Sequence, residues 1–109
     1  MSKPAPLTPS QKMQVLSKSD GHCFYCGILL TVSTMVRDHF IPISGGGLNR
    51  LENSVAACPT CNGIKSDLSI EQFRTALKQP DVIRRRGIQG YQPFDKNGAF
   101  YFEIHGLKS

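Results

Sequence analysis

The chain has 109 residues, a formal charge of +5, 39% hydrophobic residues and no tryptophan. That length fits one domain and excludes two independent cores, and no apolar run approaches the roughly 20 residues a membrane helix needs. The N-terminal MSKPAPLTPS lacks the apolar stretch of a secretory signal, so the expectation is a soluble cytoplasmic protein whose four cysteines bind metal in preference to forming disulfides. The basic excess favours a polyanionic partner without naming it.

Residues 1–7 carry two prolines and no periodicity, and read as a flexible arm. Thr8 is placed to cap a helix with Pro9 at its first position and Gln11 completing a capping box; Asp20-Gly21 ends it. HCFYCG, residues 22–27, reads as a tight turn. A strand is expected near Val36–Phe40, stopped by Pro42, with a glycine loop over residues 45–47. The short apolar stretch Val55–Ala57 fits a second strand paired with the first, and Pro59 opens a helix running to about Ser66. Ser69 and Gln72 cap a further helix whose Ile70, Phe73 and Leu77 share a face and which Pro80 ends. Five of the nine aromatics lie in the tail, where Phe100, Phe102 and Ile104 alternate after Lys96-Asn97-Gly98, the pattern of a β-hairpin.

Cys23-x-x-Cys26 and Cys58-x-x-Cys61 use all four cysteines in two identical pairs. Two residues between cysteines let both sulfurs reach one centre about 2.3 Å away, and two such corners complete a tetrahedral zinc shell with no position left for water. A closed shell is structural, so the zinc is not expected to do chemistry. The competing readings are two redox motifs or unpaired buried thiols; two matched pairs favour zinc. The 31 residues between the pairs exceed what a simple zinc ribbon requires, which makes that insertion the place to look for function.

The insertion contains RDHFIPIS, the glycine loop and then NRLENSVAACPTCNGIK. Over residues 22–66 this order of Cys pair, Asp-His with Pro three residues later, Gly-rich loop, Asn, Cys pair, Asn and Lys resembles the HNH endonuclease family, in the branch whose ββα-metal unit is braced by two Cys-x-x-Cys zinc knuckles. The resemblance implies that His39 is the general base, that Asp38 and Asn62 ligate a catalytic divalent cation, and that Asn53 orients the site. The third signature position, often His in the family, is Asn62 here, an HNN variant. The resemblance also implies 5′-phosphate and 3′-hydroxyl products.

The residue types suit those roles. Phosphodiester hydrolysis needs a nucleophile made from water, neutralisation of charge on phosphorus and help for the departing oxygen, which one imidazole and one metal ion supply. Asp38 and Asn62 offer hard oxygens suited to Mg2+ or Mn2+. Adjacent strand residues face opposite ways, so for Asp38 and His39 to serve one site the strand must end near His39 or distort there. Asn62 follows Cys61 by about 100° of helical turn, so zinc would fix the helix and the helix would fix Asn62. Asn53 offers both a donor and an acceptor to hold the His39 ring or the loop.

For DNA, Lys65 lies three residues beyond Asn62 and is the first candidate phosphate contact. Arg84, Arg85 and Arg86 form the densest charge run, with Arg50 and Lys12 as further candidates. His22 and His105 lack partners of this kind and read as bystanders. The tail aromatics read as core.

The expected fold is α+β over residues 1–109. A zinc-braced ββα-metal nuclease core at 22–66 is flanked by an N-terminal helix and by a helix-and-hairpin extension at 69–109. The expected function is divalent-metal-dependent DNA cleavage, by nicking or double-strand cutting, with the aromatic tail a candidate homodimer interface. The rival from another class is a non-catalytic zinc module that only binds nucleic acid; Asp38, His39 and Asn62 discriminate, since binding alone does not need them.

Overall fold

A computed structural model describes residues 6–79, 93, 95 and 97–109. Arg84, Arg85 and Arg86 therefore lie outside the described residues, as do Lys96 and the first five residues of the arm. Leu7, at the end of that arm, packs against the core.

Helix α1, Pro9–Ser17, starts as its sequence dictates. The Thr8 hydroxyl accepts from Gln11 N–H, the Gln11 side chain accepts from Thr8 N–H, and Pro9 takes the first turn where no amide is missed. Val15 is its fully buried residue. Beyond it the chain reverses through Asp20 and Gly21, both at positive φ, into the first knuckle. There Cys23 N–H donates to Ile28 O at 2.7 Å and Gly27 N–H to Cys23 O at 3.0 Å. Gly27 has φ +81, and an added Cβ would stand 2.6 Å from the Tyr101 ring, so both conformation and space require glycine.

Strands β1, Val36–His39, and β2, Ser54–Ala57, pair antiparallel, with Asp38 opposite Val55 and His39 opposite Ser54. Every residue of β2 is buried, consistent with a short apolar run covered on both faces. Helix α2, Pro59–Lys65, follows directly, with Cys58 at its N-cap accepting from Cys61 N–H. Helix α3, Ile70–Leu77, carries the second capping box, Ser69 with Gln72, and buries Phe73 and Leu77. The sheet and α2 are the ββα unit; α1 and α3 flank it.

The tail corrects the expected hairpin. The turn is present, with Gly98 at φ +80 and Asp95 accepting from Asn97 and Ala99 N–H, but residues Tyr101–Ile104 form a helix, α4. Its first amides have better partners than a second strand: Tyr101 N–H donates to Tyr25 O at 2.9 Å and Phe102 N–H to Phe24 O at 3.0 Å, tying the tail to the first knuckle. Phe100 and Phe102 enter the aromatic core. Phe102 stacks on Phe24 with ring centres 4.7 Å apart, and Phe100 on Phe73 at 5.2 Å. Ile104, the third member of the alternating pattern, is 56% exposed. No helix among the described residues is long and apolar enough to cross a membrane.

Candidate active site

The cysteine frame is assembled as its spacing requires. All four Sγ atoms lie within 4.8 Å of one another, and Cys26 and Cys58 Sγ are 3.7 Å apart. A tetrahedral zinc with bonds of about 2.3 Å has sulfur–sulfur edges of about 3.8 Å, so the four thiols can hold one ion. Cys58 N–H donates to Cys23 Sγ and Cys61 N–H to Cys58 Sγ, both at 3.3 Å, contacts that favour thiolates. The thiols hold one another unequal: hydrogen bonding from Cys23, Cys26 and Cys61 pushes Cys58 far down, whereas Cys23 leads the neighbours that push Cys26 and Cys61 up. A shared dication is what allows all four to ionise together.

Beside this frame, at the C-terminal end of β1, a cleft of about 380 Å³ is bordered by Arg37, Asp38, His39, Asn62, Ser66 and Asp67. The strand is regular through His39 and Pro42 then redirects the chain into a 3-10 turn at Ile43–Gly45. Asp38 is buried and His39 half-buried, so the two alternate as a strand demands while both reach the cleft where the strand stops.

His39 is held from outside the predicted set. Its Nε2 lies 3.0 Å from Asn49 Oδ1; an amide oxygen only accepts, so Nε2 carries the proton and Nδ1 is the basic nitrogen of the neutral ring. Sequence reasoning missed Asn49, whose only signal is a polar amide two residues past the glycine loop. Asn53 instead locks that loop. Its Oδ1 accepts from Ile41 N–H at 2.9 Å and its Nδ2 donates to Ile41 O at 2.8 Å and Leu48 O at 2.9 Å. Gly47 passes so close that an added Cβ would stand 1.8 Å from Ile41 O, which explains a glycine there. Asn53 thus fixes the backbone that follows His39.

Lys65 is not placed as the sequence suggested. The side chain is fully buried, with Nζ 3.1 Å from Asp38 Oδ2, 3.4 Å from Oδ1 and 3.0 Å from His39 O. An inaccessible ammonium paired with a carboxylate is no surface phosphate contact, and this corrects the expectation for Lys65. The Tyr25 hydroxyl, from within the first knuckle, also donates to Asp38 Oδ2. Burial nevertheless raises the Asp38 carboxyl above the ordinary range, against the opposing pull of Lys65 and Tyr25. The Tyr25 phenol is itself pushed well up, by burial first and then by Asp38. A carboxylate has about four acceptor positions, and Oδ1, engaged only at 3.4 Å, keeps capacity for an ion.

Asn62 is half-buried on α2, and its side-chain amide makes no hydrogen bond to another described residue. Its backbone carbonyl accepts from Ser66 N–H at 2.8 Å. An amide oxygen and a carboxylate oxygen on one cleft form a donor set that fits a hard divalent cation. Ser66, which closes α2, stands at φ 47 and ψ −120, a conformation that costs a residue with a β-carbon roughly 1–3 kcal/mol. Among the flanking residues, Arg50 is exposed and Lys12 half-buried. His22 uses Nδ1 to donate to Gly27 O at 2.8 Å and stacks on Tyr101, which also contacts His105; both histidines serve the packing of the tail.

A two-stranded sheet feeding a helix, a four-cysteine frame and an Asp-His-Asn cleft define a class, and residues 23–68 match the family model described as HNH endonuclease. This segment is an HNH endonuclease domain, homologous to the HNH regions of Cas9. The chain is similar to the CRISPR-associated endonuclease Cas9 of Corynebacterium diphtheriae, 37% identical over 57 residues that make up 51% of this chain and 5% of that protein. It is also similar to the CRISPR-associated endonuclease Cas9 of Actinomyces naeslundii, 44% identical over 46 residues, 41% of this chain and 4% of that one. The crystal structure of the Type II-C Cas9 enzyme from Actinomyces naeslundii shares the fold with a TM-score of 0.58 and 27% identity, over 86% of this chain and 12% of that chain. The chain thus spans 5% or less of the length of the curated relatives it matches.

Proposed function

We propose that this protein hydrolyses DNA phosphodiester bonds in a reaction that depends on a divalent cation, Mg2+ or Mn2+, with His39 as general base. The observation that carries the reading is the convergence of His39, Asp38 and Asn62 on one open cleft beside the zinc frame. Asp38 and Asn62 would hold the cation, which supplies charge stabilisation at the scissile phosphate.

The remaining work falls to the chain. Neutral His39 takes the proton of the attacking water at Nδ1, while the hydrogen bond from Nε2 to Asn49 fixes the ring. Asn53 holds the loop between Ile41 and Leu48, so the base does not swing with the chain that follows it. Lys65 and Tyr25 keep the Asp38 carboxylate in one orientation. Arg84, Arg85 and Arg86 are proposed to grip the DNA backbone without regard to sequence. One copy with one cleft would nick; a homodimer would cut both strands.

The test is supercoiled plasmid incubated with zinc-loaded protein. Mg2+ or Mn2+ should convert it to nicked or linear DNA with religatable 5′-phosphate ends, and a chelator that leaves the structural zinc in place should stop the reaction. Cleavage unaffected by the chelator would contradict the cation's role. Tight binding without any cleavage in either metal would favour the zinc module that only binds.

A further inference from the structure

Ser66 is a residue with a conformational cost and no visible return from the fold. It sits at φ 47 and ψ −120, directly after α2, in a turn closed by Leu68 N–H donating to Lys65 O at 2.7 Å. These angles are those of the first central position of a type II′ turn, where glycine is the usual residue because it has no β-carbon. Elsewhere the chain follows that rule: Gly21, Gly27, Gly46, Gly98 and Gly106 occupy positive-φ positions, and Asp20 is the other non-glycine exception among the described residues. Asp20 does not border the cleft; Ser66 does, together with Asp38, His39 and Asn62.

A serine in a turn often justifies itself by bonding the local backbone. Here no hydrogen bond joins the Ser66 hydroxyl to another described residue, and the side chain is exposed. The turn's own bonds, Ser66 N–H to Asn62 O and Leu68 N–H to Lys65 O, use backbone atoms that glycine would supply equally. An outlier maintained against the fold's interest at the wall of a reactive cleft points to use in that cleft. The cleft also carries the Asp67 carboxylate, the next residue in the turn. A phosphate approaching this wall meets the Asp67 carboxylate with the Ser66 hydroxyl beside it as a neutral donor, while Arg37 and Ser44 are further donors on the cleft border.

We propose that Ser66 contacts the substrate: its hydroxyl donates a hydrogen bond to a non-bridging phosphate oxygen of the DNA strand lying in the cleft. This rests on the reading of the cleft as the cleavage site. The backbone strain holds that hydroxyl where a relaxed turn would not.

Two variants separate the hydroxyl from the strain. Ser66→Gly removes both and Ser66→Ala removes the hydroxyl alone. In zinc-loaded protein the glycine variant should melt about 3–8 °C above wild type, and the alanine variant within about 2 °C of it. Both should bind a fluorescent DNA duplex about three- to tenfold more weakly in the presence of EGTA, and both should nick plasmid about tenfold more slowly in Mg2+. A glycine variant no more stable than wild type overturns the premise, and two variants that bind and nick as wild type overturn the contact. If wild type itself binds but never nicks, the nuclease reading fails on its own; the DNA affinities then decide Ser66, and equal affinities overturn it.

Discussion

Lys65 shows how far the nature of a side chain and its placement can differ. Three residues past Asn62 its charge looked available to a phosphate, but the helical turn that carries Asn62 towards the cleft carries Lys65 under β1, against Asp38 and the His39 carbonyl. Sequence spacing gave the helix face and could not give the depth, because burial depends on Tyr25 and on a sheet formed by residues far away in the chain. The Asp-His pair, Asn53 and Asn62 were legible as residue types at family spacing. Asn49 and Tyr25 were not, since each acts through a contact that only the folded chain creates, and neither was Ser66, whose positive φ arises only in the folded turn. The pairing of Lys65 with Asp38 has an energetic signature. Lys65→Met should cost about 3–5 kcal/mol in urea denaturation, by leaving a carboxylate buried without its cation. Adding Asp38→Asn should recover most of that loss; two costs that simply add would argue against the pair.

Helices α1 and α3 were written in local chemistry, a capping residue with glutamine three positions on, and both capping boxes formed. The strands and α2 matched their apolar runs and Pro59 to within a residue or two at each end. The tail failed because alternating aromatics satisfy a strand and an aromatic-stacked helix start alike. What decided it was a long-range partner, the Phe24 and Tyr25 carbonyls of the first knuckle. Helix α4 is further tied to α3 by Arg74, which donates to Glu103 at 2.8 Å through both terminal guanidinium nitrogens, reaches Gly98 O and lies over Phe100. Arg74 holds the Glu103 carboxyl below its ordinary value. The folded state therefore binds that proton less tightly than the unfolded state, and the stabilisation is present above the ordinary carboxylate pKa and lost as pH falls through the depressed one. Thermal melts should place Glu103→Gln below wild type at pH 7, with the gap closing in acid; a gap constant with pH would remove Glu103 from the account.

In the whole molecule, the four cysteines, which could hold one zinc, gather the first knuckle, the end of β2 and the start of α2 at one point. The first knuckle also supplies Tyr25 to Asp38 and two carbonyls to α4, so cleft and tail both depend on it. A structural zinc contributes on the order of 10 kcal/mol of apparent binding energy, comparable with the entire 5–15 kcal/mol stability of a typical domain. Elemental analysis should find about one zinc per chain, and Cys58→Ser or removal of zinc by a strong chelator should abolish cooperative unfolding. A fully folded zinc-free protein would contradict this view of the frame.

The central claim, that the cleft beside this frame is a cleavage site with His39 as its base, meets its most direct test in His39→Ala. The variant should keep its zinc and its circular dichroism spectrum while nicking supercoiled plasmid at least a hundredfold more slowly in Mg2+. Nicking at the wild-type rate by that folded, zinc-loaded variant would contradict the claim.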